Sequence, residues 1–209
     1  MMHRTMTIEE LLHIVALGGA AAQAAAGVLE AGRRPIDLFG MIVIALVSAL
    51  GGGTLRDVML DRTVFWIADQ SYLITAIIAA LITFLAARRF KLPSRLFIVP
   101  DAIGMALFTV AGTQAALALG APWLVASMMG VVTAVFGGIV RDVLCNEIPL
   151  VFSGELYATA AWGGAMVLVG LQLLGVDHVW SAVAGGSTVL VLRFGALLFK
   201  WRLPVFRSR

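Results

Sequence analysis

Two arginine–aspartate dipeptides stand inside otherwise apolar stretches of the chain. Arg56–Asp57 closes the segment GGGTLRDV, with Gly51, Gly52 and Gly53, and Arg141–Asp142 closes FGGIVRDV, with Gly137 and Gly138. An arginine or aspartate deep in a bilayer costs about 2.5–3.5 kcal/mol on insertion scales, so such residues face a partner, a cavity or an ion path. Neighbouring positions on a helix point in different directions. That favours pairing between the motifs, Arg56 with Asp142 and Arg141 with Asp57. Successive glycines mark a place where a helix kinks or where backbone or ligand approaches closely. Unwound backbone survives at membrane depth only beside protein or water. The chemistry on offer is a hydrophilic path lined or gated by these charges and glycines. The competing reading is a dry structural clamp in which the glycines serve helix packing.

The rest of the chain decides what must hold these residues. Its 209 residues are 61% hydrophobic and only 13% charged, with a mean hydropathy of +0.99. A soluble domain is about 25% charged, so this chain has too little polar surface to cover a water-soluble globule. Disorder requires few apolar residues, and a disulfide framework requires paired cysteines, whereas Cys145 is alone. An integral membrane protein remains.

Apolar runs near the length of about 20 residues needed to cross the hydrocarbon core fall at 8–29, 38–60, 72–87, 96–119, 123–144, 156–174 and 179–199. Strands of alternating character are absent, so the expected class is all-α, with seven transmembrane helices. Glu9 and Glu10 in its leader argue against reading the first run as a signal peptide. Ten cationic residues (Arg33, Arg34, Arg88, Arg89, Lys91, Arg95, Lys200, Arg202, Arg207 and Arg209) fall on one side of that topology. Only Arg4 and Arg62 fall on the other. The positive-inside rule then places the N-terminus outside and the C-terminus in the cytoplasm. The net charge of +3 is thus a topology signal with a weak pull on anionic lipid headgroups, and nucleic acid is not an expected partner.

The glycine–arginine–aspartate segments repeat at an offset of 85: Gly52 meets Gly137, Gly53 meets Gly138, Arg56 meets Arg141 and Asp57 meets Asp142. The register also holds at Gly19 and Gly104, Gly27 and Gly112, and Tyr72 and Tyr157. The expected units are 1–92 and 93–176, each with three spans, followed by a seventh helix and basic tail over 177–209. Three spans is an odd number, so the second copy enters from the opposite face and the repeat is inverted. Such architectures place their sites at the repeat interface, often on interrupted helices. That points to the second and fifth spans.

Other candidates read less sharply. Asp101, in DAIG, has Ala16 as its counterpart and either faces the path or sits among headgroups. Gln70 and Glu155 read as solvated at the interface, Tyr72 and Tyr157 as interfacial anchors, and His13 as a satisfied polar core residue. Arg193 is close enough to Lys200 to snorkel to the surface. The run GGAAAQAAAG in the first span reads as close helix packing. His3 and His178 lie outside the spans, and no His/Cys cluster has metal-ligand spacing. No nucleophile elbow, phosphate loop or dinucleotide fingerprint is present, so neither catalysis nor a cofactor is expected.

The doubled motif, the DAIG segment and the three-plus-three-plus-one layout resemble the prokaryotic branch of the trimeric intracellular cation (TRIC) channel family. A domain of this kind has also carried the label "glycine transporter". The resemblance spans nearly the whole chain. It implies a homotrimer in a prokaryotic inner membrane, with a pore in each subunit that passes monovalent cations, chiefly potassium. It also implies that kinked second and fifth helices line that pore, through Gly51, Gly52, Gly53, Arg56, Asp57, Gly137, Gly138, Arg141 and Asp142. Phe136 and Ala16 depart from strict equivalence of the copies, and the lysine motif of the animal branch is not recognisable. A secondary transporter of a small amino acid such as glycine is the alternative, and a membrane scaffold is a third reading.

Overall fold

A computed structural model of the chain describes residues 8–90, 93 and 95–204. Arg4, Lys91, Arg207 and Arg209, which contribute to the charge bias, and His3 lie outside the described residues.

Among the described residues the chain is all helical. It comprises α1 (Ile8–Ala31), α2 (Leu38–Met59), the short α3 (Phe65–Ala68), α4 (Ser71–Arg89), α5 (Ile98–Ala118), α6 (Trp123–Leu144), α7 (Ala158–Leu173) and α8 (His178–Phe199), with a 3-10 turn at Leu150–Phe152 before α7. Six helices are long and apolar enough to span a membrane. The seventh apolar helix, α7, has 16 residues. At about 1.5 Å per residue it is shorter than the hydrocarbon core of about 30 Å. It takes up 158–173 of the apolar run 156–174, with Leu156 and Tyr157 in the turn before it.

Local chemistry sets the helix ends. Asp37 caps α2 by accepting from the Gly40 N–H at 2.7 Å, and Asp177 caps α8 through the Val179 N–H at 2.8 Å. α2 and α6 end alike: Asp61 and Asn146, 85 residues apart, both turn left-handed at φ 50° and 56°. Short polar side chains tolerate that conformation better than others.

Helices α1, α2, α5 and α6 form the centre. α5 is the most enclosed, with 72% of its apolar window buried, against 17% for α4 and 22% for α8. Large apolar side chains of the outer helices, among them Ile78, Ile82, Leu85, Val191 and Leu198, face outward, as a lipid-facing surface requires.

The centre is closed by small residues. A Cβ built on Gly52 would collide with the Thr133 carbonyl, and one on Gly137 with the Ser48 carbonyl. Likewise Gly19 faces the Phe108 ring and Gly104 faces Gln23. With the offset of 85, each contact is the counterpart of the other. Such reciprocity is the signature of a two-fold relation.

Both α2 and α6 are helical straight through their glycines. The interruption expected at the glycines lies later, after Met59 and Leu144. The glycines mark where two backbones touch, with a Cβ on Gly51 at 3.7 Å from the Gly137 Cα.

Candidate functional site

Arg56 and Arg141 occupy the last turns of α2 and α6. There the negative end of the helix dipole favours a cation. The same end disfavours the following aspartate, which is satisfied by donors from the chain just beyond. Asp57 is fully buried and accepts from Arg56 Nε at 2.8 Å and from the Phe65 N–H at 2.8 Å. Asp142 accepts from Arg141 Nε at 2.9 Å and from the Leu150 N–H at 3.0 Å.

The pairs are therefore within each motif, and the expected cross-repeat pairs, Arg56 with Asp142 and Arg141 with Asp57, are not formed. The helices cross near Gly51 and Gly137, and each Arg–Asp motif begins several residues past the crossing on its own side. At about 1.5 Å per residue, Arg56 and Asp142 are carried to opposite sides. The arginine side chain is long enough for its Nε to reach the neighbouring carboxylate, which adjacency on a helix had counted against.

The two copies differ in what surrounds the arginine. Arg141 is wholly buried and donates from Nη1 to Asp101 Oδ1 at 2.6 Å. The Tyr157 hydroxyl donates to the same oxygen at 3.2 Å, and the guanidinium lies 5.3 Å from the Phe97 ring centroid. Asp101 thus belongs to the charge cluster and not to the headgroup region. In the first copy its position is held by Ala16, and space remains. A cavity of about 340 Å³ opens there, lined by His13, Arg56, Arg62, Tyr72, Gln114 and Thr133, among others. The floor of this vestibule is Thr133, at the helix crossing. Beyond it stand buried Ser48 and Gln23, with Ser48 Oγ donating to Gln23 Oε1 at 3.2 Å and Gln23 Nε2 to the Asp101 carbonyl at 3.3 Å. Buried polar groups thus stand at the crossing, between the open Arg56 side and the sealed Arg141 side.

Several residues take places that hydropathy did not assign them. Arg193 does not snorkel: it is wholly buried, donates to Glu155 Oε2 at 2.8 Å and lies 4.9 Å from the Tyr157 ring centroid. Glu155 is therefore paired and not merely solvated. Tyr157 is buried inside the protein and so is not an interfacial anchor; Tyr72 is buried too, with its hydroxyl 3.1 Å from His13 Nδ1. His13 is partly exposed in the vestibule and is no core residue. Glu30, buried near the end of α1, accepts from Arg33 at 2.7 Å. An acid three residues before an arginine is a helix pair that the sequence carries openly. Gln23 had one signal, a lone amide within a run of alanines and glycines.

Among the described residues no group of His, Cys, Asp and Glu is placed to hold a metal. Burial pushes the Cys145 thiol up to about 11. Since the thiolate is the reactive form, maleimide is expected to leave Cys145 unmodified in the folded protein at neutral pH. Labelling on denaturation, followed by mass spectrometry, checks this.

A family profile described as "Glycine transporter" matches residues 13–88 and again 98–172. The chain is 42% identical over 201 residues to a UPF0126 membrane protein of Vibrio cholerae, covering 94% of this chain and 83% of that one. It is 37% identical to the UPF0126 inner membrane protein YadS of Escherichia coli, covering 94% and 96%. Among solved structures, a TRIC trimeric intracellular cation channel orthologue from Rhodobacter sphaeroides superposes with a TM-score of 0.87 at 34% identity, covering 91% of this chain and 99% of that one. A second TRIC cation channel structure matches with a TM-score of 0.85 at 32% identity, covering 94% and 98%.

Proposed function

We propose a channel function from one premise: the chain belongs to the membrane-protein family described as glycine transporter and has the architecture of the TRIC cation channels. In this reading the chain is a passive cation channel of a bacterial inner membrane, with potassium as its main permeant ion. It works as a homotrimer with a pore in each subunit. Residues 1–92 and 93–176 are the inverted units, 177–209 supplies the added helix, the N-terminus is outside and the C-terminus is cytoplasmic.

One observation carries the reading: a vestibule runs from one side to the crossing of α2 and α6, where buried Ser48 and Gln23 stand between it and the sealed Arg141 cluster. Gly51, Gly52 and Gly137 let the two helices approach, Gly53 makes room for the Phe65 ring and Gly138 for the Tyr157 hydroxyl, and the Arg–Asp motifs flank that point. With the N-terminus outside, the vestibule faces outward and the Arg141 cluster is the inner gate. Asp101 and Asp142 outweigh Arg141 there, which attracts cations once water enters, as acidic groups do in cation pores. Opening requires Arg141 to leave Asp101. Moving one charge through the full field yields about 2.3 kcal/mol per 100 mV, so voltage can bias the step.

Proteoliposomes test the reading: potassium flux should be non-saturating and need no second solute. The amino-acid transporter reading draws on the same one-sided cavity, and it demands saturable, gradient-coupled glycine uptake instead. The difference between the copies also makes a prediction. Ala16→Asp places beside Arg56 the carboxylate that Asp101 supplies to Arg141. It should seal the vestibule and lower potassium flux at least tenfold, whereas Ala16→Ser should leave it near wild type.

A further inference from the structure

The vestibule is basic, which is unexpected at the mouth of a cation path. Arg56 and Arg62 line it and share the one buried carboxylate of Asp57, at 2.8 and 3.4 Å; no aspartate or glutamate is among its described lining residues, although Asp69 lies 3.7 Å from the lining His13. Arg56 is 6% exposed, and its one hydrogen bond among the described residues runs from Nε to Asp57, so both terminal nitrogens remain free to donate. Gln114 is 7% exposed, lines the same cavity and has no hydrogen-bond partner among the described residues. Two donor side chains, each more than nine-tenths buried, thus meet a cavity of about 340 Å³ whose wall also carries Arg62, His13, Tyr72 and Thr133 between Phe65, Phe108 and several alanines. Buried donors of this kind are normally satisfied, and a guanidinium edge fits a carboxylate in a forked pair.

We propose that the vestibule is a binding site for a small monocarboxylate anion, held on Arg56 and Gln114. The site discriminates against zwitterionic amino acids: an ammonium group would meet two arginines, while Asp57 is already held by both of them and Asp69 stands off beside His13. The inference rests on the channel reading for its consequence. There the bound anion offsets the positive charge of the vestibule and lowers the barrier to cations entering from that side. Its existence as a binding site needs no conduction.

Saturation-transfer NMR on the purified full-length protein in nanodiscs tests it, with acetate as the probe and glycine as the competitor. Acetate should bind saturably, and glycine should compete at least tenfold more weakly. Arg56→Lys keeps the charge but loses the fork and should weaken acetate at least tenfold. Ala115→Leu fills the cavity without touching the Arg56–Asp57 pair and should do the same, so a folding defect in the first variant does not blur the answer. Acetate signals equal in wild type and Ala115→Leu, or glycine binding tighter than acetate, would overturn the proposal. Since occupancy is read without an ion gradient, a failure here leaves the channel reading standing, and absent potassium currents leave this site standing.

Discussion

Replacing Arg141 with glutamine is expected to cost about 3–5 kcal/mol of stability, the usual range for removing one member of a buried ion pair, and to raise the open probability of the channel. Arg141 is wholly buried among Asp101, Asp142 and Tyr157. Without it two carboxylates remain that had shared one guanidinium. Asp101 is fully buried and its Oδ2 already lacks a hydrogen-bond partner among the described residues. Admitting water is the cheapest remedy, and water at this point joins the vestibule to the other side. The double variant Arg141→Gln with Asp101→Asn removes the more deeply buried of the two uncompensated charges, leaving Asp142 with the Leu150 N–H, and should recover part of the stability. Thermal unfolding in detergent reads the first effect, and open probability in bilayers reads the second. A single variant as stable as wild type, with unchanged gating, would remove Arg141 from the gate.

Gly52→Ala and Gly137→Ala should each destabilise by about 1–3 kcal/mol or more, the range for overpacking a filled core. The upper end is expected here because the obstacle is backbone. The added methyl meets the Thr133 carbonyl in one case and the Ser48 carbonyl in the other. The two costs should be similar, since the contacts are counterparts. The double variant should cost less than their sum, because the first substitution already pushes the helices apart. Gly170→Ala, with nothing within 4 Å of the added Cβ, should be nearly silent or stabilising and serves as the control. Chemical or thermal unfolding of the four proteins checks this. Equal effects at Gly170 and Gly52 would contradict it.

Much of this was legible in the residues. Long apolar runs specified the helices, and the offset of 85 brought Arg56 and Arg141 into one frame. Other points were hidden for physical reasons. A glycine pair looks the same whether a helix breaks there or another backbone touches it, so Gly51–Gly53 suggested an interruption where the structure has a contact. Pairing of adjacent Arg56 and Asp57 was discounted on Cβ directions. The deciding donors are the Phe65 and Leu150 N–H groups, and they come from turns folded back after the helix ends, which hydropathy does not register. The same blindness left Glu155 and Tyr157 at the opening of a span and let Arg193 snorkel, because hydropathy does not register that the turn before α7 brings both residues to Arg193. Asp101 was visible as the residue that breaks the symmetry with Ala16. What that break does, one side closed by an ion pair and the other open as a cavity, required the third dimension.

Single-channel recording of the purified protein in planar bilayers under a potassium gradient tests the central claim most directly. The account predicts discrete currents that reverse near the potassium equilibrium potential, with a longer open time in Arg141→Gln. A silent bilayer containing correctly folded protein, or currents that reverse at the anion potential, would contradict it.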